Sequence, residues 1–255
     1  MSLAEVLVAG FVFSLLLGVA VLLFRHSTQV WKHASSAEGA RHGLSSARAA
    51  LERDLRLSDP ALVARADVPT SLGGGPDGQA LWFLSPVDPA TGEVVRKQDG
   101  YPFWQRNILY YLVVPSNHDA VFGVACAGGA DPADGYDDRC PHKVLIRKVI
   151  DDGVPTTPAD EATEEALIAD ITPYLTRPVG FSTAGMTGEP GLELKRILGG
   201  GFLKFSTRSV TAREIAVDLR SVAFGEAARN LRVGQVSLVQ GRYTHRLDFS
   251  VLLRN

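Results

Sequence analysis

Residues 6 to 24 read VLVAGFVFSLLLGVAVLLF without a charge, and beyond them apolar residues recur at helical spacing. At about 1.5 Å rise per residue the run reaches roughly 28 Å, close to the roughly 30 Å hydrocarbon core of a bilayer, so its length suits a span. A secretory signal peptide has a basic segment before a shorter apolar stretch and a small-residue cleavage site after it. Neither flanks this run, which reads as a retained helix. The helical period continues through Val30, Trp31, Ala34, Ala37, Leu44, Ala47, Leu51 and Leu55, with Lys32, Glu38, Arg41, Arg48, Glu52, Arg53 and Arg56 on the other faces. Ser58-Asp59-Pro60 stops it, because proline disfavours helix at the residue before it. The predicted helix runs from about residue 2 to 57, roughly 80 Å, with Gly39 and Gly43 as weak points.

After the Gly/Pro-rich connection 70 to 78 the pattern changes to short β-like runs: 80 to 85, 107 to 114, 143 to 150 and 213 to 224. QVSLVQ (235 to 240) and HRLDFSVLLR (245 to 254), joined by Gly241-Arg242-Tyr243, complete the set. Such spacing predicts an antiparallel sheet with hairpins. Residues 160 to 171, DEATEEALIADI, are the other helix candidate, acidic at the N-terminal end as the macrodipole favours. Residues 86 to 102, 115 to 141 and 182 to 191 are predicted as surface loops. The expected fold class is therefore α+β. Residues 1–25 form a membrane helix, 26–57 its amphipathic continuation, and 58–255 a β-rich head packed on it.

Composition changes this picture little. The formal charge of −2 argues against a protein that coats nucleic acid, while leaving room for a local basic patch. The two cysteines, Cys126 and Cys140, favour one disulfide over a metal site if the head is exported. The alternative is two reduced, buried cysteines in a cytoplasmic domain. It gains support from the positive-inside rule, because Arg25, His26 and Lys32 flank only the C-terminal end of the span.

Asp131, Asp134, Asp137 and Asp138 lie between the cysteines, and clustered oxygens suit calcium, but the spacing matches no EF-hand loop. A solvated acidic loop stapled by a disulfide is the better reading. No other cofactor is expected. GGGPDG and GGGF lack the lysine and hydroxyl of a phosphate-binding loop and are read as turns. His118, His142 and His245 look scattered and no nucleophile sits in an elbow motif, so an enzyme is not expected. Tyr101, Phe103, Trp104, Arg106 and Tyr110 form either a contact surface or, as such groups more often do, core packing.

Glu5 stands out, since an ionisable group beside a membrane span costs several kcal/mol, on the order of 3, unless something offsets it. Met1-Ser2-Leu3-Ala4-Glu5 followed by the apolar run resembles the mature N-terminus of type IV pilins and pseudopilins, which carry glutamate at the fifth residue of an apolar helix. ILYYLVV, KVLIRKVI and the closing FSVLLRN more loosely resemble the J-type pseudopilin of type II secretion and the W-type minor pilin.

The resemblance implies a pilin-like fold and a processed N-terminus. It pairs Glu5 with the N-methylated amine of Met1 on a neighbouring subunit, which repairs two buried charges at once. The implied partners are other pilin or pseudopilin subunits, an inner-membrane assembly machinery and, before assembly, membrane lipid; the alternatives are a single-pass membrane-anchored periplasmic domain and an adhesin or DNA-binding tip subunit, the one reading that brings in nucleic acid. The implied location is a bacterial inner membrane with a periplasmic head, then an extracellular pilus or periplasmic pseudopilus serving adhesion, motility, DNA uptake or secretion. An interfacial carboxylate on an ordinary signal anchor is the plainer alternative for Glu5. Many major pilins have proline near residue 22, where this chain has Val21 and Leu22, with Gly18 the nearest helix weakener.

Overall fold

Leu3–Leu55 form one unbroken α-helix, α1, in the computed structural model, which describes residues 2–75, 78–122, 140–223 and 244–254. Its end is set as the sequence predicts. The Ser58 amide closes on the Leu55 carbonyl at 3.1 Å, and the Asp59 carboxylate accepts from the Ala61 amide at 2.8 Å, capping a single 3-10 turn, Pro60–Leu62. That cap satisfies a donor the helical turn cannot.

Among the described residues seven strands follow: β1 (Val63–Asp67), β2 (Gln79–Ser85), β3 (Arg106–Val113), β4 (Lys143–Ile150), β5 (Leu192–Thr211), β6 (Glu214–Val222) and β7 (Thr244–Leu252). A short helix, α2 (His118–Phe122), lies between β3 and β4. The strands pair in chain order, every neighbour antiparallel, so long crossovers are not needed. The first half of β5 pairs with β4 and its second half with β6. The sheet curls far enough for the Arg65 guanidinium on β1 to donate to Ser209 Oγ on β5 at 2.8 Å, and for the Thr207 amide to donate to Gln79 Oε1 at 2.8 Å.

Burial on both faces explains the unbroken apolar runs. Along β3, Ile108, Tyr110 and Leu112 join the cluster that contains Leu44, Ala47, Leu51 and Leu55 of α1. Leu109, Tyr111 and Val113 join a second cluster with Ile168, Ile171, Tyr174, Leu175 and Met186. A strand buried on both sides loses period two and reads as continuous hydrophobe. The molecule is thus α+β with a pilin-like arrangement: a long N-terminal helix laid on β5, β6 and β7 of an antiparallel sheet.

Several expectations need correction. Residues 160 to 171 are not a helix. Only Glu161–Thr163 make a 3-10 turn, capped by Asp160, and the groups that would close a helix are recruited by the sheet. Trp82 Nε1 donates to the Ile168 carbonyl at 2.9 Å, the Ile168 amide donates to Asn107 Oδ1 at 3.1 Å, and Asn107 Nδ2 donates to Glu165 Oε1 at 2.7 Å. Two strands, β1 and β5, lie where none was predicted.

GGGF lies inside β5 and is not a turn. Gly199 allows α1 to approach: a Cβ there would come within 3.0 Å of Gly43 Cα, so the helix glycine marked as a weak point faces a strand glycine. The packed stripe of α1 begins at Ala40, and Val30 and Trp31 are exposed. Phe103, Arg106 and Tyr110 are buried while Tyr101 is exposed, so that group is chiefly core and not one contact surface. QVSLVQ and Gly241-Arg242-Tyr243 lie outside the described residues.

Candidate functional site

From Leu3 to Phe24, every α1 residue whose burial is described is exposed. Phe11 keeps 67% and Phe24 71% of its surface, and the most apolar window, with mean hydropathy 2.9, has none of its residues buried. Exposed apolar side chains at 6, 7, 8, 11, 12, 13, 15, 16 and 17 leave no polar face. A helix apolar all round asks for apolar surroundings on every side, as lipid or packed neighbouring helices provide. Among the described residues this is the one helix long and apolar enough to cross a membrane. Its hydroxyl at Ser14 donates back to the Phe11 carbonyl at 2.8 Å, so no donor is left facing hydrocarbon there.

The other half of α1 is held by chemistry as well as packing. Asp54 Oδ2 accepts from Tyr110 Oη and from Arg147 Nε, each at 2.6 Å, joining the last turn of the helix to β3 and β4. Burial, then the Asp54 carboxylate, pushes the Tyr110 hydroxyl well above its ordinary value. Burial works to lower Arg147, but Asp54 and Tyr110 more than offset it and leave the guanidinium above its usual value. The three groups form a charge-assisted set that ties the helix to the sheet. Arg48 also lies over the Phe249 ring of β7 at 5.5 Å.

Of the residues singled out in the sequence, Glu5 is the third residue of α1. Met1, Cys126, Asp131, Asp134, Asp137 and Asp138 lie outside the described residues, and with them the disulfide and calcium readings. Cys140 is fully buried. His118 and His142, which looked scattered, are together: their Nδ1 atoms are 2.9 Å apart, and Cys140 Sγ is 3.7 Å from His118 Nδ1. Asp119 Oδ1 lies 3.0 Å from His118 Nδ1 and 3.3 Å from His142 Nδ1. Burial first, then the neighbouring His118, lowers His142 to about 4 against the pull of Asp119, so its ring is neutral at neutral pH.

Sequence reasoning missed this cluster because α2 and the entry to β4 are brought together only by the fold. The short string Cys140-Pro141-His142 was the available signal. His245 stays apart, paired by register with Ser221 on β6. The chain matches no family model, no characterised protein and no solved structure.

Proposed function

We propose that the chain is a pilin-like subunit, a minor pilin or pseudopilin, that is anchored in a membrane by the first half of α1 and then packed through that half against other subunits in a filament. The observation that carries this reading is the division of α1 into a bare, wholly apolar length and a length packed on the sheet. Lipid and a bundle of like helices are the two surroundings that fit the bare length, and filament assembly moves it from one to the other.

Glu5 supplies register. It lies at the N-terminal end of α1, where the helix dipole favours a carboxylate, and the amine of Met1 on a neighbouring subunit is its proposed counter-ion. An ion pair between subunits offsets a charge that would otherwise face hydrocarbon, and it forms only when neighbours sit at the right axial offset. The helix is continuous through Gly18, Val21 and Leu22, which supports insertion without local unwinding. The head is placed outside a bacterial inner membrane, and then on a pilus or pseudopilus.

Glu5→Ala tests it in the native cells. The expected result is loss of the subunit from sheared filaments with its membrane level preserved; unchanged incorporation would overturn the role given to Glu5, and absence of the unaltered subunit from the filaments would mean an anchored domain that never polymerises. The mass of the N-terminal peptide is an independent check, expected to show an N-methylated Met1.

A further inference from the structure

The start of α2 and the approach to β4 bring together two imidazoles, a carboxylate and a sulfur. We propose that His118, His142 and Cys140, with Asp119 as fourth ligand, form a binding site for a zinc-class divalent cation. The potential ligand atoms of His118, Cys140 and His142 all lie within 4.8 Å of one another. Tetrahedral zinc with bonds of about 2.0 to 2.3 Å requires ligand atoms about 3.3 to 3.7 Å apart. The separations, 2.9 Å between the imidazoles, 3.7 Å from sulfur to His118, and 3.0 and 3.3 Å from Asp119 to the two imidazoles, run from somewhat below that range to its upper end, so small side-chain shifts bring these groups to bonding positions.

Donor chemistry selects the metal. Two imidazoles and a thiolate suit zinc or copper and disfavour calcium and magnesium, which take oxygen. Charge agrees with this: one thiolate and one carboxylate against a divalent cation give a neutral site, whereas an ionised thiol alone in this buried position is unfavourable. Binding releases the Cys140 thiol proton to solvent, with no change of oxidation state. The walls are set before any ion arrives. The Phe122 ring stacks on His142 at 4.7 Å and 5°, and Phe181 closes on Phe122 at 5.5 Å. Asp119, 52% exposed, opens the cluster to solvent.

The site uses the sulfur that the sequence assigned to a disulfide, so a Cys126–Cys140 bridge and the metal are mutually exclusive in one molecule. It lies in the head, away from the bare half of α1, and stands whether or not the chain polymerises.

The test uses the full chain in detergent, reduced, stripped with chelator and titrated with cobalt(II) chloride, then zinc chloride. One equivalent of cobalt is expected to bind, with visible bands of a four-coordinate ion and a near-ultraviolet thiolate charge-transfer band, both bleached by zinc. Cys140→Ser abolishes the charge-transfer band. Asp119→Asn, at an exposed position that leaves the fold intact by circular dichroism, weakens affinity roughly tenfold or more. Cys126→Ser binds as the unaltered chain does. The proposal is overturned by the absence of cobalt bands in both the unaltered chain and Cys126→Ser, by a charge-transfer band that survives in Cys140→Ser, or by native protein whose two cysteines are found joined.

Discussion

The two lengths of α1 share one backbone and differ in what surrounds it. From Leu3 to about Gly39 the helix is mostly exposed, with Trp31 at 71% still bare and Thr28, Ser36 and Ala37 half-buried; from Ala40 to Leu55 one stripe is buried, chiefly on β5, β6 and β7. The first length is apolar around its circumference near the N-terminus, and the second is apolar on one side only. The breadth of the apolar surface therefore reports how many neighbours a helix needs: one sheet for a stripe, a surrounding medium for a full cylinder.

Asp54→Ala breaks the packed length hardest. It leaves the Arg147 guanidinium, half enclosed by β3, β4 and α1, without its carboxylate, and is expected to lower head stability by about 3 to 5 kcal/mol, read as a shifted urea midpoint at unchanged slope. Leu51→Ala, at a fully buried position, comes next at about 2 to 5 kcal/mol. Leu16→Ala, the same truncation on the bare length, is expected within about 0.5 kcal/mol in detergent, and an equal loss at both leucines would erase the distinction.

The glycines repeat the contrast at smaller scale. Gly199→Ala places a methyl 3.0 Å from Gly43 Cα and is expected to destabilise by about 1 to 3 kcal/mol. Gly39→Ala, with nothing within 4 Å, is expected to gain up to about 1 kcal/mol of helix propensity.

Acidity separates the two lengths by a different variable. Burial chiefly, with Asp151 adding to it against the hydrogen bonds of Asp152 and Asn107, raises Glu165 from 4.5 to about 7. The native state then holds a proton that the unfolded chain has released, so head stability is expected to fall as pH rises from 4.5 to 7 and to level off above. Glu165→Gln should flatten that slope in melting midpoints taken across the range, while membrane attachment of the bare length stays constant. A slope unchanged in Glu165→Gln would assign it to another group.

What could be read in the sequence was what depends on local period. The helix ends and the runs at 80, 107, 143, 213 and 245 fall within a residue or two of α1, β2, β3, β4, β6 and β7, because each carries its own apolar pattern and stop signal. β1 was hidden by its short, polar VARAD string at the sheet edge. β5 was hidden by charges and by three glycines that read as a turn, although the first of them, Gly199, serves close approach to a helix more than a hundred residues earlier. Residues 160 to 171 misled in the opposite sense, since their helical spacing was overridden by Trp82 and Asn107 reaching out from the sheet. Asp54, in a helix already rich in charge, gave no sign of its partners on β3 and β4. The His118 and His142 pair was invisible for the same reason: which side chains meet across the fold is a property of strand order and not of spacing.

The packed stripe of α1 faces the strands that are made last. Ala40 and Ser221, whose carbonyl and hydroxyl lie 3.5 Å apart, are separated by 181 residues of chain. At about 5 to 20 residues per second, synthesis needs on the order of ten to forty seconds to supply that partner. The bare end of α1 emerges first and, on the membrane reading proposed above, settles in lipid during this interval, while the stripe that starts at Ala40 waits for β5, β6 and β7. Maturation of the head is thus timed by its final strands, whose long-range contacts with α1 form only after they have been made.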